Sequence, residues 1–81
     1  MSIGEKLGPR LRFLRQHKKM SQEKLSLLSG VDRSHISDIE NCKVEDPGAG
    51  TIDKLAKALD VRIDQMFLSS FAEPTAPYED N

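Results

Sequence analysis

Between Ser21 and Asn41 the chain has room for two short helices and almost nothing to join them. The stretch SQEKLSLLSGVDRSHISDIEN holds two segments of helical apolar periodicity, each opened by a side chain that can cap a helix N-terminus. Ser21 is the first N-cap. A capping box would want Glu or Gln three residues on; that place holds Lys24, and Glu23 falls one short. Leu25 and Leu28 are expected inward. Gly30 is a natural left-handed stop, Asp32 the next N-cap, and Ile36 and Ile39 mark the buried side of a helix over 33–41. The second helix opens with Arg33, Ser34 and His35, an odd set for a helix that only has to pack.

The flanks supply the rest of the domain. Leu7, Leu11 and Leu14 recur at helical spacing, and Pro9 suits a first turn, so a helix is expected over 8–18. Residues 1–7 before it form an N-terminal arm or an extra helical turn. CKVEDPGAG is a loop, and Thr51 is expected to cap a helix over 52–59 carrying Ile52, Leu55, Ala56 and Leu59. RIDQMFLSSF reads as a fifth helix, with Ile63, Met66 and Phe67 apolar. Residues 71–81 are an acidic, proline-containing tail, too polar to pack. The domain thus spans 8–70 and is all-α.

Eighty-one residues allow one small domain with a modest core. Cys42 is alone, so no internal disulfide forms, and no Cys/His spacing points to a metal or other cofactor. A reducing, cytoplasmic setting is expected, with no export signal and no membrane-spanning run. The net charge of −1 hides an asymmetry. Residues 1–20 carry Lys6, Arg10, Arg12, Arg15, Lys18 and Lys19 against Glu5, while 21–60 and 61–81 are each net acidic. One end can therefore meet a polyanion.

LGPRLRFLR, MSQEKLSLLSGVDRSHISDIEN, DPGAGTIDKLAKALDV and DQMF together resemble the Cro and phage-repressor type of helix-turn-helix transcription regulator over residues 7–67. The resemblance implies a five-helix, lambda-repressor-like domain that binds double-stranded DNA, usually as a homodimer on paired half-sites. Such a regulator blocks RNA polymerase or contacts it.

The physics of the third helix agrees with that implication. With Ile36 and Ile39 buried, Arg33, Ser34, Ser37 and Asp38 fall largely on the other side, where a recognition helix meets base edges. Arg33 can grip guanine, and Asp38 can accept from cytosine N4. Gln22, His35, Asn41 and Lys43 match or lie near positions that touch the DNA backbone. Arg15 and Glu40 match a structural ion pair between the first and third helices. Met66, Leu68 and Phe71 are the candidate dimer seam.

Three features depart from the family pattern. Cys42 stands where glycine is common, the loop after it is acidic at Glu45 and Asp46, and Ser26 replaces a common alanine. The rival reading is a protein-interaction module or antitoxin-like protein of the same fold, which the overall acidity and Asp38 fit. An enzyme is not expected: His17 and His35 have no paired carboxylate or cysteine around them.

Overall fold

The computed structural model describes residues 2–67, so Leu68, Phe71 and the tail lie outside the described residues. Four α-helices follow one another: α1 (Ile3–His17), α2 (Gln22–Ser29), α3 (Arg33–Glu40) and α4 (Ala49–Leu59). The fifth element is a 3-10 helix, Ile63–Phe67. α1 packs on α3 and on the 3-10 helix, and α2 packs on α3 and α4. Leu7 and Leu11 of α1, Leu25 of α2, Ile36 and Ile39 of α3, and Leu55 and Leu59 of α4 are fully buried between them.

The N-terminal arm is replaced by helix. Ser2 caps α1 by accepting from the Glu5 amide at 3.1 Å, and the Glu5 carboxylate accepts from the Ser2 amide at 3.1 Å. This is a full capping box, so the helix starts at Ile3. Pro9 consequently sits inside α1 rather than in its first turn. It and Glu5 are both exposed, so water can satisfy the Glu5 carbonyl that Pro9 leaves without a donor.

Three other expectations change. Thr51 lies within α4, whose N-cap is Gly48 with no side-chain cap. Leu28 is 53% exposed, because the inward line of α2 is carried by Leu25 alone. Met66 has no exposed surface: the 3-10 helix turns it into the monomer core, so it offers nothing to a dimer seam.

The ends of α1, α3 and α4 place Lys19, Cys42 and Asp60 in the left-handed region, and only α2 uses glycine, at Gly30. Cys42 takes the conformation that the family's glycine would favour, with a φ of 61°. The Cys42 amide donates to the Ile39 carbonyl and the Lys43 amide to the Asp38 carbonyl, which closes the helix end.

That end of α3 lies hard against α1. A Cβ on Gly8 would stand 2.6 Å from the Ile39 carbonyl oxygen, and one on Gly4 would stand 1.7 Å from that of Val44. The Gly4 amide instead donates to the Glu45 carbonyl at 2.8 Å. Two glycines one turn apart thus open a groove in α1 for the backbone that follows α3.

A buried carboxylate fixes the angle of α3. The Glu40 side chain is wholly buried, and Arg15 of α1 meets it with two hydrogen bonds, Nε to Oε2 at 2.6 Å and Nη2 to Oε1 at 3.0 Å. The remaining Arg15 nitrogen donates to the Met20 carbonyl at 2.8 Å. Gln22 of α2 donates its amide to Glu40 Oε1 at 3.1 Å, and Arg12 Nε lies 3.5 Å from the same oxygen. Burial by itself would push the Glu40 carboxyl up; donation from Arg15 and Gln22 and the nearby charge outweigh it and hold the pKa below the ordinary glutamate value.

This packing can be tested by substitution. Gly8→Ala should destabilise the fold by about 1–3 kcal/mol, because the neighbouring backbone must move. Gly50→Ala, in α4 with open space around it, should instead stabilise by about 0.5–1 kcal/mol. Urea unfolding of both variants checks this, and equal shifts would refute the close approach. Glu40→Ala should cost about 3–5 kcal/mol, since it strands Arg15. Because the Glu40 pKa is lowered on folding, its contribution is complete above the unfolded value near 4.5 and is lost as pH falls through the folded value. The acid limb of a stability–pH curve should therefore be shallower in Glu40→Gln than in the native protein.

Candidate nucleic-acid interface

The geometry of α2 and α3 follows from their caps. Ser21 accepts from the Lys24 amide at 3.0 Å, which starts α2 with a neutral side chain. Gly30, with a φ of 78°, stops it, and the Ser26 hydroxyl donates to the Val31 carbonyl at 2.6 Å across the turn. Ser26 therefore ties the turn as well as fitting the space where alanine is common. Asp32 then caps α3 by accepting from the Ser34 amide at 3.2 Å.

With Ile36, Ile39 and Glu40 buried, α3 turns its other side outward. Arg33 and Ser34 are exposed, and His35, Ser37 and Asp38 are half-buried beside them. All four residues expected at base edges thus lie on the side away from the core, with Arg33 and Ser34 furthest out. The Ser34 hydroxyl donates to the Asp32 carboxylate. That bond and the Ser34 amide are the main causes that hold the Asp32 carboxyl below the ordinary aspartate range.

Of the four expected backbone-contact residues, His35 is half-buried on α3 and the other three divide into two groups. Lys43 is exposed at the end of α3, as are Lys18 and Lys19 at the end of α1. Gln22 and Asn41 are already held by other side chains. Gln22 gives one amide hydrogen to Glu40 while standing at the first position of α2, where backbone N–H groups are free to meet an anion. Asn41 closes the C-terminus of α3: its amide donates to the Ser37 carbonyl at 2.9 Å, and its oxygen accepts from Arg12 Nη2 at 2.8 Å.

Sequence reasoning saw Arg12 only as diffuse charge. The structure places it between Glu40 and Asn41, on the same side as the end of α3. Its spacing of three from Arg15 on one helix was the available signal. Arg10, counted in the sequence only for its charge, has a structural role as well. It is buried, donates to the Gln65 carbonyl at 2.9 Å, and lies 5.2 Å from the Phe13 ring, so it joins α1 to the 3-10 helix. Among the described residues, no helix is long and apolar enough to cross a membrane.

Comparison with known proteins gives the family. A helix-turn-helix family model matches residues 11–66. The HTH-type transcriptional repressor RghR of Bacillus subtilis is 38% identical over 80 residues, covering 93% of this chain and 59% of the repressor. The restriction-modification controller protein C.AhdI of Aeromonas hydrophila is 44% identical, with a TM-score of 0.73 over 76% of this chain and 92% of that one. SinR, a master regulator for biofilm formation solved in complex with DNA, is 28% identical, with a TM-score of 0.71 over 74% of this chain and 95% of that one. The chain spans between 30% and 59% of the lengths of the named relatives that it matches by sequence. With a family model across most of its length and a well-covered relative, this chain belongs to the helix-turn-helix family.

Proposed function

We propose that this chain is a sequence-specific DNA-binding transcription regulator, without catalysis, that lays α3 in the major groove. The observation that carries this is the two-sidedness of α3. One side is clamped to the body through Ile36, Ile39 and Glu40, and the other holds Arg33 and Ser34 out to solvent. Arg33 supplies a planar fork that matches guanine O6 and N7, and Asp38 and the two serines supply shorter polar groups. The start of α2, with Gln22, receives a phosphate, and Lys18, Lys19 and Lys43 add charge.

The charge distribution is compatible. All 12 Lys and Arg residues fall within residues 2–67, while Glu73, Glu79 and Asp80 lie beyond. Residues 2–67 are therefore net positive although the whole chain is net negative. A homodimer on an inverted repeat completes the reading, because one recognition helix covers few base pairs. Leu68 and Phe71 are proposed for its seam.

One feature favours a second reading, a protein partner on α2. Leu27 is 83% exposed beside the half-exposed Leu28, an apolar pair that the core does not use. The salt dependence of binding separates the two. DNA binding through phosphates should fall with a log–log slope of roughly −0.9 per contact. Arg33→Ala should cost about 1–3 kcal/mol and relax the preference at one position of each half-site. Selection from randomised duplex DNA with both proteins checks this. No enrichment by the folded protein would overturn the reading and turn attention to the α2 surface.

A further inference from the structure

We infer that the Ser34 hydroxyl reads DNA as a hydrogen-bond acceptor only, and so selects base pairs that turn an amino group toward it. This rests on the proposed placement of α3 in the major groove and goes beyond it by assigning the chemistry of one contact.

A serine hydroxyl has one proton to give and two lone pairs to receive. An ionised carboxylate can only accept, so in the Ser34–Asp32 bond the proton belongs to Ser34 and points at Asp32. The same carboxylate oxygen accepts from the Ser34 amide, which holds it in place. Asp32 is an exposed carboxyl and is ionised at neutral pH. To donate outward, Ser34 would give up a hydrogen bond to a charged group, which is the stronger kind. What remains for a ligand is a pair of lone pairs on an exposed oxygen.

That polarity excludes some partners and selects others. Phosphate oxygens accept and do not donate, and the charge of Asp32 beside the hydroxyl repels them further. Ser34 is therefore a poor backbone contact. In the major groove the donors are adenine N6 and cytosine N4, whereas guanine O6 and N7 and thymine O4 accept. Every base pair carries one amino group in that groove, on one strand or the other. Ser34 thus distinguishes adenine or cytosine from guanine or thymine on the strand that it faces. Its neighbour Arg33, a donor only, has the opposite preference. The two first residues of α3 make a complementary pair, one reading acceptors and one reading donors.

The test is selection from randomised duplex DNA by the full chain and by two variants. The native protein should restrict one column of the half-site to A or C on one strand. Ser34→Ala should flatten that column and no other. Asp32→Gly retains much of the helix cap and frees the hydroxyl, so it should admit G and T there. In the selected site, replacing that adenine by purine, which lacks the amino group, should weaken native binding roughly three- to tenfold and leave Ser34→Ala unaffected. A column that Ser34→Ala flattens but that holds G or T would overturn the inference. So would a Ser34→Ala selection identical to native, or an Asp32→Gly selection that keeps the strict A-or-C column. Enrichment of a half-site with any of these results leaves the DNA-binding reading standing. Absence of enrichment by the folded protein removes both.

Discussion

Glu40 is the point on which α2 and α3 are hung together. It is the last residue of α3, its side chain has no exposed surface, and its donors come from α1 and α2. Burying such a pair is weak evidence for stability, because the desolvation of two charges offsets most of the attraction. The gain is directional. A bidentate arginine fixes the carboxylate in a plane, and a hydrophobic residue of similar volume would fill the space without doing so. The angle at which α3 leaves the body, and hence the direction of Arg33 and Ser34, depends on that plane. Gln22 links the same carboxylate to the start of α2, so the proposed phosphate and base contacts share one anchor.

The glycine groove in α1 solves a related problem. A helix end packed on another helix must satisfy its last carbonyls while keeping close contact. Here the end of α3 reverses through left-handed Cys42 and runs over Gly4 and Gly8. Cysteine at that φ costs roughly 1 kcal/mol relative to glycine. Two further non-glycine residues, Lys19 and Asp60, adopt the same region at the ends of α1 and α4. The domain tolerates this because each turn is closed by paired backbone hydrogen bonds.

The parts of the fold governed by local rules were readable from the sequence. Ser21, Gly30 and Asp32 bracket α2 and α3 because caps and stops act within one turn, and Ile36 and Ile39 mark the core by spacing alone. Arg15 with Glu40 came through the family resemblance rather than through periodicity. Where reasoning failed, two local signals competed. Pro9 pointed to a helix start and masked the capping box at Ser2 and Glu5. Thr51 is a better cap than Gly48 by side chain, yet the backbone turns earlier, where the Asp46 carboxylate accepts from the Gly48 amide. Leu28 and Met66 were misplaced for a different reason. Whether an apolar residue is inside depends on what packs there, and an eight-residue helix in contact with two neighbours needs few inward positions.

Arg33 shows how the site departs from what a helix alone would choose. A cation at the first position of a helix meets the positive end of the dipole, and α3 has no acid in its first turn. Asp32 offsets this from the cap position, where its charge and its hydrogen bonds both favour the helix. An aspartate is also the costlier choice near a phosphate backbone, and Ser21 caps α2 without any charge. The difference follows from what each N-terminus is proposed to meet. The neutral cap leaves the free amides of α2 open to an anion, and the anionic cap closes those of α3 to one. The N-termini of α2 and α3 are thereby suited to different parts of the proposed duplex contact, the first to its backbone and the second to its bases.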